Sequence, residues 1–321
     1  MANVLAGEIV AVDSAIASEA ENRVVLADGS DRTLTGLSRD ELLALQWEQE
    51  RAYARRILAA PKGSAARTEV MGHAYDTVTQ IFAAVQGNLG AAPIMGVHPR
   101  HGRMVVELLH RQRQRGMDAR LFEIGFGAGK LLRTVRDAGF PFAGIEISRT
   151  MRENALQLLG PEHESRLYLG DFLRDEAPAA AGPWSLIYWN DVFEHIPPDE
   201  IGDWLRRIYR MLPPGGQLLT ITPNWHVRPS DVTAAVRPPR TEATGLHLKE
   251  YTLREISGML ARAGFARIAT PLVVLPKRMV LCGRGLIGLK WALEPALEWL
   301  PFAAARLACR GFALSCTIAT K

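Results

Sequence analysis

The sequence predicts an α/β protein built on a largely parallel sheet, and three observations lead there. From residue 104 onward, short apolar runs of strand length alternate with amphipathic runs of helix length. A string of alternating glycines follows the first apolar run directly. Acidic residues stand at or beside the ends of the first three runs, as Glu123, Glu146 and Asp171.

The first strand lies in LFEIGFGAGKLL, Leu121 to Leu132, where Gly125, Gly127 and Gly129 separate it from a helix. Glycines can take positive φ and carry no Cβ, so the backbone can turn sharply and approach a ligand closely. A dinucleotide fingerprint counted from Gly125 requires a third glycine where Lys130 stands. A phosphate loop requires glycine at Ile124 and a hydroxyl residue at Leu131. What remains is acidic-x-G-x-G-x-G, read either as a cofactor loop or as a tight strand-to-helix turn.

The second unit has a helix from Lys130 to Ala138, a stop at Gly139 and a strand from Phe142 to Ile147 ending near Glu146. A carboxylate so placed, about 20 residues past the glycine turn, can accept both hydroxyls of a ribose. A helix from Arg149 to Leu159 and a short strand from Arg166 to Leu169 lead into Gly170-Asp171-Phe172. The fourth strand, Trp184 to Asn190, is apolar on both faces, as burial between helix layers demands, and DVFEHIPPDEI follows it. Then come a helix from Ile201 to Leu212, a Pro-Pro-Gly-Gly break and a fifth strand from Gln217 to Thr222. Thr252 and Glu255 form a capping box for a helix stopped by Gly264, with strands six and seven at Ala266 to Val274 and Ala313 to Thr320.

These motifs, in this order over Met104 to Pro271 and the last ten residues, resemble the class I S-adenosylmethionine-dependent methyltransferases, in particular their type 11/12-like small-molecule branch. The resemblance implies a Rossmann-like seven-stranded mixed sheet with an antiparallel last strand, flanked by helices, and S-adenosylmethionine as cofactor. It places Glu123, Gly125, Phe126, Gly127 and Gly129 at the cofactor turn, Glu146 and Ile147 at the ribose, Asp171 and Phe172 at the adenine, and Asn190 at the fourth strand end. His195 falls where the acceptor approaches in this architecture; it and His247 are candidate catalytic bases, with Tyr251 a further one. Alternatively, His195 only orients its loop. Asp191, Glu194, His195 and His247 also resemble the acidic-x-x-EH and downstream-His pattern of magnesium-dependent members, such as small-RNA 2′-hydroxyl methyltransferases and some quinone-biosynthesis O-methyltransferases. Single histidines are common there without metal, so no residue is assigned as a metal ligand and magnesium is not the expected cofactor.

Around the core (104–273 plus 312–321) the sequence divides into a small β unit (1–37), a helical lid (38–103) and a helical insertion (274–311). Strands are expected at Val4 to Val12 and Arg23 to Leu34, the latter broken by Asp28-Gly29. Helices follow from Ser38 to Ala59, with Ser38 and Glu41 as a capping box, and from Ala65 to Val85. The Pro/Gly/His-rich loop Gly90 to Gly102 is either plain surface or, with Tyr75, His98 and His101, a substrate wall. Acceptor contacts are also expected around Asn224 to His226. The insertion carries Trp291 and Trp299, but Arg284, Lys290, Glu294, Glu298 and Arg306 interrupt every long apolar run, so it cannot span a bilayer. It reads as an acceptor-site cap or dimer contact, or as an interfacial surface for a lipid-like substrate.

At 321 residues, with 48% hydrophobic and 22% charged, the composition is that of an ordinary globular protein. The net charge of +4, pI near 9.1, includes Arg111, Arg113, Arg115 and Arg120 before the first strand, which read as a solvated helix face rather than a nucleic-acid patch. Three cysteines make no disulfide framework, and no export signal is evident, so a cytoplasmic setting is expected. The expected function is methylation of a small organic or lipid-like acceptor, at oxygen. A metal-assisted RNA 2′-hydroxyl methyltransferase and a non-catalytic cofactor-binding protein are the alternatives. No nucleic-acid partner is expected.

Overall fold

The computed structural model describes residues 22–89, 98–275 and 278–321. The expected strand Val4 to Val12 and most of the loop from Gly90 lie outside them. Strands β1 (Arg23–Val25) and β2 (Asp31–Thr33) pair antiparallel. The turn between them has Gly29 at φ 87° and an Asp28 carboxylate accepting from Ser30 N–H at 2.9 Å. Helix α1 (Arg39–Ala59) starts at the Ser38–Glu41 capping box and packs on α2 (Ala65–Val85) through Tyr53, Ile57, Met71 and Ala74.

Helix α3 (Pro99–Gln114) precedes an alternation of β3 (Leu121–Ile124), α4 (Lys130–Asp137), β4 (Phe142–Glu146), α5 (Arg149–Leu159) and β5 (Leu167–Leu169). The second half runs through the short α6 (Ala177–Ala180), β6 (Leu186–Asn190), α7 (Ile201–Met211), β7 (Gln217–Ile221), the short α8 (Thr233–Val236), α9 (Leu253–Arg262) and β8 (Arg267–Ala269). Then come β9 (Pro271–Leu275), β10 (Arg278–Leu281), α10 (Arg284–Leu293), α11 (Phe302–Gly311) and β11 (Cys316–Thr320).

Seven strands form one sheet in the order β5-β4-β3-β6-β7-β11-β8. β11 runs antiparallel to both its neighbours, β7 and β8, and the remaining pairs are parallel. Side chains alternate across the strands, so Leu121 packs with Leu108 and Leu109 on one face while Phe122 and Ile124 pack with Trp189 and Ile208 on the other. Each such buried apolar side chain contributes roughly 1.5–3 kcal/mol. The strand order reverses between β3 and β6, and the crevice outside the carboxyl ends at such a switch point is where ligands bind in open α/β sheets.

Three expectations are corrected. The sixth strand ends at Ala269, because Pro271 has no N–H to donate and β11 pairs only with Arg267 to Ala269. The chain then leaves the sheet, and β9 pairs with β10 as a separate antiparallel hairpin, so the insertion begins as β structure and becomes helical only at Arg284. The seventh strand starts at Cys316 rather than Ala313, whose φ of 50° belongs to the turn closing α11. Among the described residues no helix is long and apolar enough to cross a membrane.

Candidate active site

The carboxyl ends of β3, β4, β5 and β6 meet at one cavity of about 160 Å³. At its floor the β3 chain turns with Gly125 at φ 68° and Gly127 at φ 51°. Gly125 N–H donates to the Ile145 carbonyl at 2.8 Å, tying the turn to β4, and an added Cβ there would stand 2.6 Å from Val192 Cγ2. At Gly127 an added Cβ would meet no protein atom within 4 Å, and that residue lines the cavity.

Glu146 closes the cavity at the end of β4. Its Oε2 accepts from Gly127 N–H at 2.9 Å, and its Oε1 accepts from Ile147 and Ser148 N–H at 2.9 and 3.0 Å. Burial raises its pKa, and those three donors oppose the rise. Asp171 follows β5; Leu173 N–H donates to its Oδ1 at 2.8 Å and Thr68 Oγ1 to its Oδ2 at 2.5 Å. Phe172 packs tilted against Trp204, ring centroids 5.0 Å apart at an interplanar angle of 36°, and both line the cavity.

Helix α2 forms the remaining wall with Met71, Tyr75 and Thr79, which recur every fourth residue along one helix face. It is fastened by Thr68 to Asp171 and by Asp76, whose carboxylate accepts from Ser148 Oγ at 2.6 Å and Thr150 N–H at 3.2 Å.

Of the sequence-predicted cofactor residues, Gly125, Gly127, Glu146, Ile147, Asp171, Phe172 and Asn190 reach this cavity. Glu123, Phe126 and Gly129 do not line it. Phe126 lies under the turn, where a Cβ on Gly144 would approach it to 2.7 Å, and Gly129 starts α4 against Ala155. The Glu123 carboxyl is buried beside Tyr188 and Glu146, with Oε2 unbonded and a pKa raised well above the ordinary value by burial first and Glu146 second. Sequence reasoning missed Met71, Thr79, Ser148, Met151, Val192, Ile196 and Trp204 as lining residues. The four-residue spacing on α2 was the available signal.

Past β6, Asp191 adopts φ 52°, its N–H held by the Ile221 carbonyl at 3.1 Å and its Oδ2 by Asn190 Nδ2 at 2.8 Å. This left-handed conformation turns the chain into Glu194 and His195. Glu194 is fully buried; Thr222 Oγ1 donates to its Oε2 at 2.9 Å, its Oε1 has no hydrogen bond, and burial pushes its pKa to about 8. His195 lines the cofactor cavity, edge-on to Tyr75 at 5.6 Å and to His247 at 4.7 Å. Its Nδ1 lies 2.9 Å from the Leu246 carbonyl, which can only accept, so Nδ1 carries the proton and Nε2 keeps its lone pair. Burial, reinforced by His247, lowers its pKa to about 3.

His247 lies behind His195 and lines neither this cavity nor the larger one described next. Burial disfavours its charged form, but the Glu250 carboxylate at 2.9 Å from Nδ1 and Glu194 at 3.8 Å from Nε2 outweigh that and raise its pKa to about 9. Tyr251 is buried with its hydroxyl unbonded, and burial pushes its pKa up from the ordinary phenol value. Ligand atoms of Glu194, His195 and His247 all lie within 4.8 Å of one another.

A second cavity, of about 690 Å³, shares Asn190 and Asp191 with the first. Its walls are the start of α3 (His98, His101), the Asn224 loop and α11. Asn224 is fixed by Nδ2 donating to Glu294 at 2.6 Å, so the insertion holds the loop that follows β7.

A glycine turn after β3, carboxylates closing β4 and β5, and an antiparallel β11 together define an S-adenosylmethionine-dependent methyltransferase. The chain belongs to the methyltransferase-domain family, which residues 98–270 match. Among solved structures, it is similar to a S-adenosylmethionine-dependent methyltransferase from Archaeoglobus fulgidus at 16% identity, covering 68% of this chain and 94% of that one, TM-score 0.41. It is also similar to phosphoethanolamine N-methyltransferase 2 from Haemonchus contortus at 17% identity, covering 70% and 58%, TM-score 0.38. Human N-acetylserotonin methyltransferase gives 16% identity, covering 79% and 60%, TM-score 0.38. This chain thus spans less than two thirds of the length of the last two. No curated protein matches it in sequence.

The described residues fit the cofactor. Gly127 offers a wall without a side chain, and Glu146 Oε2, with one backbone donor, has a lone pair left for a ribose hydroxyl. Asp171 Oδ2, bonded only to Thr68, has one left for the adenine amino group.

Proposed function

We propose that the protein methylates a hydroxyl of a small organic or lipid-like acceptor seated in the larger cavity, with His195 as the proton acceptor. The observation that carries this reading is His195 itself: it stands on the cofactor cavity with Nδ1–H committed to Leu246 and Nε2 free. The sulfonium of S-adenosylmethionine supplies an activated methyl group, so the protein contributes mainly position. The acceptor oxygen forms its bond to the methyl carbon as the carbon–sulfur bond breaks, and the sulfonium becomes a neutral thioether. The hydroxyl proton passes to His195 Nε2. A base with pKa about 3 suffices late in the transfer, because a hydroxyl oxygen bearing a new methyl group is a far stronger acid than imidazolium. His247 and Glu250 hold His195 in place rather than react.

Support for a bulky acceptor comes from the 690 Å³ cavity and from the exposed Leu289, Leu293, Trp299 and Leu307 on the neighbouring insertion. The test is transfer of a labelled methyl group to a panel of hydroxylated aromatic and alkyl acceptors and their amine counterparts. Oxygen methylation that falls by about 10²-fold or more in His195→Gln, with unchanged S-adenosylhomocysteine affinity, is expected. Methylation of amines alone, or full activity in His195→Gln, contradicts it.

One observation favours a second reading. Glu194 Oε1 is buried without a hydrogen bond, ligand atoms of Glu194, His195 and His247 lie within 4.8 Å of one another, and His247 is backed by Glu250 as metal-bound histidines are. Two imidazoles and one carboxylate suit a first-row divalent ion better than magnesium. Such an ion would lower the pKa of an acceptor hydroxyl.

A further inference from the structure

The larger cavity has a marked imbalance of charge. Arg100, Arg237, Arg306 and Arg310 line it, whereas Asp191 is its only carboxylate among the described residues. None of the four guanidinium groups forms an ion pair with a carboxylate among the described residues. Arginines a short distance away are treated differently: Glu298 takes both Arg228, at 2.5 Å, and Arg240, at 3.3 Å, and Arg228 and Arg240 lie outside the lining. Neutralisation therefore stops at the cavity wall.

The four arginines come from three parts of the chain. Arg306 and Arg310 are one turn apart on α11, Arg100 opens α3 and donates to the Arg310 carbonyl at 3.1 Å, and Arg237 follows α8. His101, beside Arg100, has its pKa lowered to about 4 by burial first and by His98 and Arg100 next. Its positive charge is thus disfavoured chiefly by desolvation, and the neighbouring His98 and Arg100 add to that. Asp191 stands on the border with the cofactor cavity, and the space also has apolar lining from Met104, Val227 and Phe302.

We propose that this cavity takes an acceptor bearing a phosphate or carboxylate group on an apolar body, with the anion held by Arg100, Arg237, Arg306 and Arg310. Guanidinium groups recognise either oxyanion through paired N–H donors, which makes them the chemistry for this task. The arrangement orients the acceptor: its anionic end is drawn to the arginines, and Asp191 repels it from the sulfonium side. The neutral hydroxyl is left to face Asn190 and His195. The inference rests on the reading of this cavity as the acceptor site.

The test uses the full chain saturated with S-adenosylhomocysteine and four probes below their micelle concentrations: octyl phosphate, octanoate, octyl glucoside and octyltrimethylammonium. Isothermal calorimetry is expected to show either anionic probe binding about tenfold or more tighter than the neutral and cationic ones, and the better of the two anions names the group. Arg306→Gln with Arg310→Gln together weaken that anion by about tenfold, Arg306→Lys with Arg310→Lys retain part of it, and added salt weakens it. The same binding for cation and anion, no binding of either anion, or an unaffected glutamine double variant overturns the proposal. Failure to bind S-adenosylhomocysteine would instead overturn the methyl-transfer reading, and the four probes measured without it still report on the arginines.

Discussion

Replacing Gly125 by alanine separates the cofactor turn from the rest of the fold. An L-residue at φ 68° costs about 1–2 kcal/mol in the left-handed region. The new Cβ would also stand 2.6 Å from Val192 Cγ2, well inside the ~3.5–4.0 Å of carbon–carbon contact, so the turn or Val192 must move. Overpacking of that kind costs about 1–3 kcal/mol. Both residues line the cofactor cavity, so the displacement falls on the binding surface. S-adenosylhomocysteine affinity measured by calorimetry should drop by roughly 30-fold or more, about 2 kcal/mol or above. Gly139→Ala is the control, with φ 75° and no atom within 4 Å of the added Cβ: it should lower thermal stability by about 1 kcal/mol and leave binding unchanged. Adding Val192→Ala to the Gly125 variant should restore part of the loss. The reasoning fails if Gly125→Ala binds within about twofold of wild type, or if Gly139→Ala weakens binding as much.

Other perturbations bear on different parts of the account. Glu50 is buried under Leu246, and burial raises its pKa from 4.5 to about 7, so the folded state favours its protonated form. Its contribution is fully present below pH 4.5 and is lost as pH rises through about 7, by roughly 3 kcal/mol at most. Glu50→Gln should therefore flatten the fall in melting temperature between about pH 4.5 and 7, the window those two values define, and a slope equal to wild type rejects the assignment. Glu294, from the insertion, accepts from Leu253 N–H at 2.6 Å, Arg254 N–H at 3.3 Å and Asn224 Nδ2, so it caps α9 and fixes the acceptor loop together. Glu294→Ala should lower unfolding free energy in urea by about 2–5 kcal/mol, with Glu294→Gln intermediate. Prolonged chelation followed by gel filtration leaves methyl transfer intact if His195 acts alone; activity lost and then restored by a divalent first-row ion would establish the metal reading.

What the sequence made legible was local. The glycine turn, the acids closing β4 and β5, and the Ser38–Glu41 and Thr252–Glu255 capping boxes each depend on residues within a few positions of one another, and the structure contains them. The sixth strand was drawn too long because Leu272 to Leu275 has the composition of any strand, and only the short register of β11 and the missing N–H of Pro271 decide where the sheet stops. Glu123 and Phe126 belong to the glycine motif in sequence but face the packed interior, where the alternation of β3 and the close approach of Gly144 put them. Capping of α9 by Glu294 spans 41 residues and had no sequence signature. The histidine pairing was legible as residues; that His195 is neutral follows from its burial beside His247, and that His247 is charged follows from Glu250 and Glu194 folding against it.

The most direct test of the central claim is a crystal structure of the protein with S-adenosylhomocysteine. The account predicts ribose hydroxyls on Glu146, the adenine amino group on Asp171 beside Phe172 and Trp204, and the sulfur at the border formed by Asn190 and Asp191, open to the arginine-lined cavity. A ligand bound elsewhere, or one whose sulfur points away from that border, would contradict it.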